Sequence, residues 1–246
     1  MANFPRNPPV THLMRLLAGT SGFAFKEWKG PFYPSDLKDA DMLAYYASRF
    51  PTVEINNTFY RMPTEKLLLG WAAQVPERFR FSIKASRRIT HQKKLADAAE
   101  ETEYLLRTVS VLADRMGPVL FQLPPYLRKD DGLLASFLEL LPPTVPAAFE
   151  FRHASWLDDA TLALLAGRGV ALCVAETEEG LDAPRLGTAG WGYLRLRRTD
   201  YSEEDLVAWA ERIAGEGWSD AYVFFKHEDE AEGPRFAGRF LELASG

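Results

Sequence analysis

One cysteine, Cys173, stands in 246 residues. That count excludes an internal disulfide and any cysteine-rich zinc site. Histidine is scarce as well, at 4 residues, and neither His-x-His nor His-Glu-x-x-His occurs. A histidine-rich metal centre therefore has no support, and no metal and no cofactor are expected. The chain has no Gly-x-Gly-x-x-Gly fingerprint and no Walker P-loop, which argues against a nucleotide-binding doubly wound sheet. Without Gly-x-Ser-x-Gly there is no nucleophile elbow. No apolar run reaches the ~18 residues of a membrane-spanning helix. The N-terminus lacks the charged-then-apolar pattern of a secretory signal. A net charge of -5 removes a global basic footprint for nucleic acid, although a locally positive cleft is compatible with it. A cytoplasmic protein with no membrane partner is expected.

What is present is the composition of an ordinary globular chain, 47% hydrophobic and 26% charged, enough for one large core or two small ones. Residues 1–12 carry Pro5, Pro8 and Pro9 and few core-forming groups, and are expected to form a tail. From residue 13 to 246 no linker divides the chain, so a single domain is expected. Strand patterns fall at Leu13–Ala18, from Thr52, and at Arg80–Ala85, Pro118–Leu123, Ala147–His153, Val170–Glu176, Gly192–Arg197 and Ala221–His227. Helical patterns lie between nearly all of them. One starts at Ser35 and carries Leu43, Tyr46, Ala47 and Phe50. Another runs from Thr64 to Gln74. A long one carries Leu95, Thr102, Leu105, Val109, Leu112 and Met116. Others cover Leu133–Leu141, Asp158–Arg168, a segment capped by Ser202, and Pro234–Ala244. Thr177 to Gly190 reads as loose, with at most a short helix. Alternating β and α elements imply a parallel sheet. Eight units in this length match a (β/α)8 TIM-type barrel, an α/β fold of eight parallel strands ringed by helices. An open doubly wound sheet is the competing arrangement.

Several strands have two unlike faces, because side chains alternate across a strand. Val53 and Ile55 oppose Glu54 and Asn56; Phe81 and Ile83 oppose Ser82 and Lys84. Phe149 and Phe151 oppose Glu150 and Arg152; Leu194 and Leu196 oppose Tyr193, Arg195 and Arg197. In a barrel of this kind the active site lies at the C-terminal ends of the strands. Near those ends stand Ser21, Glu54, Asn56, Lys84, Gln122, Glu150, Arg152, His153, Glu176, Arg195, Arg197 and Lys226. A self-satisfied salt-bridge plug would account for them. So would a ligand site, since burying several ions is costly unless each is well paired.

Cations outnumber carboxylates in this set, within an acidic chain. Excess arginine suits a carboxylate or phosphate, so a small anionic ligand is expected. Ser21, Asn56, Tyr60, Lys84, His91, Gln122, Arg152, Trp156, Arg195, Arg197 and Lys226 are the candidate ligand-binding residues. Glu54 and Glu150 are the candidate acid and base, on the expectation that neighbouring cations and burial push their pKa values apart. His153 is a further candidate proton carrier. Trp28, Phe59, Tyr60, Tyr126 and Trp156 fall in loops on the same face. Aromatics beside paired carboxylates suit a glycosidase; aromatics beside arginine and lysine suit stacked bases and phosphates, so nucleic acid stays as a less favoured partner. The aromatic loop from Phe23 to Pro34 is either a lid over the barrel core or a wall of the pocket. Cys173, mid-strand among apolar residues, is read as an inert core thiol.

Six segments in order carry a family resemblance. They are Gly19-Thr20-Ser21-Gly22, Trp28-x-Gly30-x-Phe32-Tyr33-Pro34, Val53-Glu54-Ile55-Asn56-x-Thr58-Phe59-Tyr60, Ile89-Thr90-His91, Gln122-Leu123-Pro124-Pro125 and Arg152-His153-x-Ser155-Trp156. Together they resemble the YecE-like family, the domain of unknown function numbered seventy-two, over nearly the whole chain after residue 15. The resemblance implies a TIM-type barrel and supplies no reaction. The chain departs from the family's usual pattern at five positions in three places. Phe23 replaces a Trp, Arg197 and Arg198 stand where His-Gly is usual, and Lys226 and His227 stand where Asn residues usually end the eighth strand. The changes make that side of the mouth more cationic. Three readings of function follow: an acid–base enzyme acting on a small anion, a phosphodiester- or nucleic-acid-acting protein, and a non-catalytic binding barrel.

Overall fold

The computed structural model describes residues 14–178, 180–181, 187–226 and 231–244. The expected tail and His227 lie outside these residues. In chain order the strands are β1 (Arg15–Thr20), β2 (Thr52–Ile55), β3 (Arg80–Lys84), β4 (Met116–Gln122) and β5 (Ala147–Glu150). Then come β6 (Ala171–Thr177), the two-residue β7 (Gly180–Leu181), β8 (Gly192–Leu196) and β9 (Asp220–Phe225). Eight of them pair in parallel in the order β1-β9-β8-β6-β5-β4-β3-β2. The two ends of that order meet at an isolated parallel bridge between Ser21 and Glu54. The sheet is therefore a nearly closed barrel, and the open doubly wound alternative is excluded. Gly19 permits the closure: a Cβ there would stand 2.1 Å from the Thr52 carbonyl oxygen.

Strand alternation sorts the apolar residues into two cores. Val53, Phe81, Ile83, Val119, Phe121, Phe149, Val174, Leu194, Leu196, Val223 and Phe225 face outward into the helix layer. Leu17, Leu120, Ala148, Ala171, Cys173, Tyr193, Tyr222 and Phe224 fill the barrel interior. Two residues further along the inner face of each strand come Gln122, Glu150 and Arg195, following Leu120, Ala148 and Tyr193. The interior is thus an apolar plug with a charged layer above it, at the C-terminal end. Burial raises the Cys173 thiol pKa well above its usual value, in keeping with an inert thiol.

The surrounding helices are α1 (Met42–Ala47), α2 (Asn57–Tyr60), α3 (Glu65–Ala72), α4 (Ala99–Val109), α5 (Asp131–Glu139), α6 (Asp159–Ala166), α7 (Glu203–Ala214) and α8 (Glu232–Ala244). Several begin on side-chain caps that satisfy a first-turn N–H. Thr64 accepts from Leu67, Asp130 from Leu133 and Asp158 from Thr161. Ser202 and Asp205 form a capping box.

Four expectations needed correction. The helix expected from Ser35 starts at Met42; Leu37 is the one large apolar residue before it, too little to bury a helical stripe. The long helix expected to carry both Leu95 and Met116 is confined to Ala99–Val109. Before it, Arg88–Gln92 forms a π-turn, and Lys94, Leu95 and Asp97 take positive φ. Arg88 and Lys93 reach back to Glu101 at 2.9 and 2.7 Å, folding this segment over the first turn of α4. After it comes a 3-10 turn, and Met116 opens β4. The fifth strand ends at Glu150 rather than His153, because His153 caps a short 3-10 turn over Ala154–Trp156. Finally, within the stretch read as loose, Gly180–Leu181 pair back on β6, Glu176 opposite Leu181 and Thr177 opposite Gly180, while residues 179 and 182–186 lie outside the described residues.

Candidate functional site

A cavity of about 780 Å³ opens at the C-terminal end of the barrel. Its floor is the charged layer. Arg195, from β8, is fully buried and bridges two carboxylates that come from opposite parts of the sheet. Its Nη2 donates to Glu54 Oε1 at 3.0 Å and its Nη1 donates to Glu150 Oε2 at 2.7 Å. Both carboxylates are themselves buried. Glu54 Oε1 also accepts from Ser21 Oγ at 2.7 Å and from Asn56 Nδ2 at 3.2 Å, and Oε2 accepts from Tyr193 Oη at 2.7 Å. Tyr193 is fixed in turn by Ser82, 2.7 Å away. Glu150 Oε1 accepts from Gln122 Nε2 at 2.8 Å, with Arg197 Nη1 at 3.8 Å.

The electrostatics follow from this packing. Burial by itself raises the pKa of a carboxyl, but Arg195 and the hydrogen bonds from Tyr193 and Ser21 outweigh it at Glu54, which is lowered. At Glu150 burial is outweighed by Arg195, Arg197 and the Gln122 hydrogen bond, and the carboxyl sits at about 2. The two values are therefore not pushed apart: both groups stay ionised. Lys84, at the end of β3, goes the other way. Burial and then Arg195 bring its ammonium down to about 8, against the opposing pull of Glu54 and Glu150. Its Nζ lies 4.5 Å from the centre of the Phe59 ring.

Ser21, Asn56, Tyr60, Lys84, Gln122, Arg152, Arg195, Arg197 and Lys226 all line this one cavity. Tyr60 forms part of its rim and is exposed. Glu54 and Glu150 are the fully buried members of the floor and do not themselves line the cavity. His91 stands beside the cavity, edge-on to Phe59 at 4.9 Å, with Nδ1 2.9 Å from Thr90 Oγ1. Burial, Lys84 and Arg152 lower its pKa. Three residues are not brought to the floor. His153 borders a separate, smaller hollow with Pro125 and Thr177, where its Nδ1 accepts from the Ser155 N–H. Trp156 is fully buried in the outer layer, stacked on Phe151 at 4.9 Å, and Nε1 donates to the Leu127 carbonyl. Glu176 faces outward and accepts from Trp209 of α7.

The opposite wall of the cavity is apolar. Phe23, Phe25, Leu43 and Trp71 form it. The aromatic loop therefore does two things: Trp28 and Tyr33 are buried as a lid core, while Phe23 and Phe25 face the cavity. Leu43 lies on the helical stripe read from the sequence and Trp71 within the helix expected from Thr64 to Gln74, and both reach the cavity, which helical spacing alone does not reveal. Tyr193 was on the inner face by alternation, but its partner Glu54 is 139 residues away. Among the described residues, no three His, Cys, Asp or Glu side chains are grouped so that they could hold a metal ion.

The model of the family described as "Protein of unknown function DUF72" matches residues 17–246. The chain belongs to the DUF72 family. Two curated proteins with UPF0759 names are similar to it. YunF of Bacillus subtilis is 24% identical over 217 residues, covering 80% of this chain and 74% of that protein. YecE of Escherichia coli K12 is 34% identical over 112 residues, 45% of this chain and 41% of that protein. Among solved structures, a DUF72 family protein from Thermotoga maritima superposes with a TM-score of 0.84 at 28% identity, covering 94% of this chain and 100% of that one. A DUF72 family protein from Enterococcus faecalis has a TM-score of 0.74 at 17% identity, covering 96% of this chain and 99% of that one, a likeness of fold. The YecE-like resemblance and the TIM-type barrel both stand.

Proposed function

We propose that the mouth of the barrel binds a small anion bearing a carboxylate or a phosphate. The observation that carries this reading is the charge of the cavity wall. Lys84, Arg152, Arg195, Arg197 and Lys226 line it, while the one carboxylate among its described lining residues, Asp39, is paired with Lys29 at 2.7 Å. Arg195 is fixed from beneath through one N–H of each Nη, which leaves a second N–H on each, and its buried Nε has no partner. A guanidinium held in one orientation with donors unfilled suits the fork-like grip of a carboxylate or phosphate.

On this reading Glu54 and Glu150 are positioning residues for Arg195 rather than the acid and base. The group poised to gain or lose a proton near neutrality is Lys84, which inherits the acid–base role. A glycosidase needs one of its two carboxyls protonated, and the shared guanidinium opposes that. Thermal melts with inorganic phosphate, a phosphorylated sugar, a sugar acid and a short oligonucleotide, at low and moderate salt, test the proposal. A ligand at ~100 times its Kd adds about 2.7 kcal/mol of stability. The small anions should raise the melting temperature, and the rise should disappear in Arg197→Gln/Lys226→Gln. No rise with any small anion would overturn the reading. A rise confined to the oligonucleotide and steeply weakened by salt would transfer the site to the phosphodiester reading.

A further inference from the structure

Lys84 differs from the other buried or half-buried lysines. Lys29, Lys93 and Lys129 each meet a carboxylate within 3.0 Å. Lys84 has no ion pair and no side-chain hydrogen bond among the described residues, although it is buried at the end of β3 in the same charged layer as two glutamates. Those glutamates, Glu54 from β2 and Glu150 from β5, are both engaged by Arg195 from β8. What faces Lys84 instead is the Phe59 ring, with Arg195 and Lys226 adding positive charge and His91 and Arg152 nearby. The amine lines the cavity, so a ligand can reach it. Burial next to cations, with no carboxylate in contact, is the setting that keeps a fraction of a lysine neutral and nucleophilic at working pH. With the ammonium at about 8, roughly a tenth is free amine at pH 7.

We infer that Lys84 forms an imine with the carbonyl carbon of an anionic aldehyde or ketone held at the barrel mouth. This rests on the anion-binding reading and narrows its ligand to a carbonyl-bearing anion, an oxo acid or a phosphorylated carbonyl compound. The neutral Nζ lone pair attacks the carbonyl carbon, and the C=O π pair moves to oxygen. The nitrogen loses a proton and the oxygen gains one, giving a carbinolamine. That hydroxyl then takes a proton from solvent and leaves as water while the nitrogen lone pair forms C=N, and the resulting iminium returns its N–H proton to solvent. One amine and one carbonyl become one imine and one water, with no change of oxidation state and no further reactant. The cations around the site hold the anionic end of the ligand and disfavour reprotonation of the amine. The apolar wall of Phe23, Phe25 and Trp71 takes the remainder of the molecule.

Reductive trapping tests this on the full chain. Glyoxylate, pyridoxal 5′-phosphate and the uncharged propanal are each incubated with the protein at neutral pH and reduced with cyanoborohydride. Adducts are then located by peptide mass mapping. The two anionic aldehydes should label Lys84 in preference to exposed lysines, whose free-amine fraction is lower by on the order of a hundredfold. Excess inorganic phosphate should suppress that label, and propanal should show no such preference. A stronger label from glyoxylate would assign the site to oxo acids, and a stronger one from pyridoxal phosphate to phosphorylated carbonyls. Lys84→Arg keeps the charge and should lose the adduct. Labelling spread evenly over lysines and unchanged in Lys84→Arg overturns the inference. If phosphate still raises the melting temperature in that case, the anion site stands and the imine alone fails. If it does not, both fail.

Discussion

Arg195 Nη1 lies 2.7 Å from Glu150 Oε2 with both side chains out of water. The same guanidinium holds Glu54 at 3.0 Å, so one cation balances two buried anions. Removing the cation leaves Glu54 without its ion pair and Glu150 with only the longer contact to Arg197 at 3.8 Å. Breaking a buried pair from one side costs about 3–5 kcal/mol, and Arg195→Met should lose at least that in urea unfolding. Adding Glu54→Gln and Glu150→Gln to Arg195→Met should recover much of the loss, because the charges to be compensated are gone. A loss under about 1 kcal/mol in the single variant would mean that the layer is not the paired, dry network described.

The same layer fixes the sign of an acid effect. Burial raises Glu150, but Arg195, Arg197 and Gln122 hold it at about 2, below its ordinary 4.5. A folded pKa below the unfolded one means that the stabilisation is fully present above about 4.5 and is lost as pH falls through about 2. The shift corresponds to on the order of 3 kcal/mol. Melting temperature against pH should therefore fall across that window in the wild type, and more gently in Glu150→Gln. Parallel acid limbs in the two proteins would place the acid sensitivity elsewhere.

The alternation of side chains along one strand is a local property, and it was legible. It put Glu54, Lys84, Glu150 and Arg195 on inner faces, and strand ends with polar residues pointed to the barrel mouth. What stands across the barrel is not local. Arg195 meets Glu54 over 141 residues and Glu150 over 45, and no window of sequence holds both contacts. That is why the two glutamates read as an acid and a base when their shared arginine keeps both ionised. Loop residues failed for a related reason. Trp156 and Phe23 are both aromatics at the same end of the fold, yet one is sealed under Leu127 and the other faces the cavity, a choice made by loop packing. The segment before α4 misled in another way: its apolar spacing suits a helix, but the pull of Arg88 and Lys93 on Glu101 folds it back.

Closure of the barrel makes a separate demand on Gly19. A methyl group there would stand 2.1 Å from the Thr52 carbonyl oxygen and 2.8 Å from Tyr46 Oη. The obstacle is backbone, which cannot rotate away. Tyr46 Oη also accepts the Thr20 N–H at 2.8 Å and donates to the Thr52 carbonyl at 3.1 Å, tying β1 to β2. Gly19→Ala should therefore spread the seam and cost about 1–3 kcal/mol or more, measured by thermal or urea unfolding. It should also weaken the phosphate response, since Ser21 and Glu54 meet across that seam at 2.7 Å. An alanine variant as stable as the wild type would show that the strands can separate freely there.

Trp156 provides the sharpest contrast between packing and site. It was expected to touch ligand, and its ring is instead fully buried, stacked at 4.9 Å on Phe151 with Nε1 donating 2.8 Å to the Leu127 carbonyl. Truncating a buried tryptophan costs about 3–5 kcal/mol, and Trp156→Ala should lie in that range. Trp71 lines the cavity and is only partly buried, so Trp71→Ala should cost less in stability. For binding the order reverses. At a temperature where every variant is folded, Trp156→Ala should bind phosphate-bearing ligands with a Kd close to that of the wild type. Trp71→Ala should weaken ligands that carry an apolar body and leave inorganic phosphate unchanged. Calorimetric titration of the two variants with phosphate and with an aromatic phosphate ester separates these outcomes. A large loss of phosphate affinity in folded Trp156→Ala would return that residue to the site. Equal losses for both ligands in Trp71→Ala would mean that the apolar wall shapes the cavity without contacting what it holds.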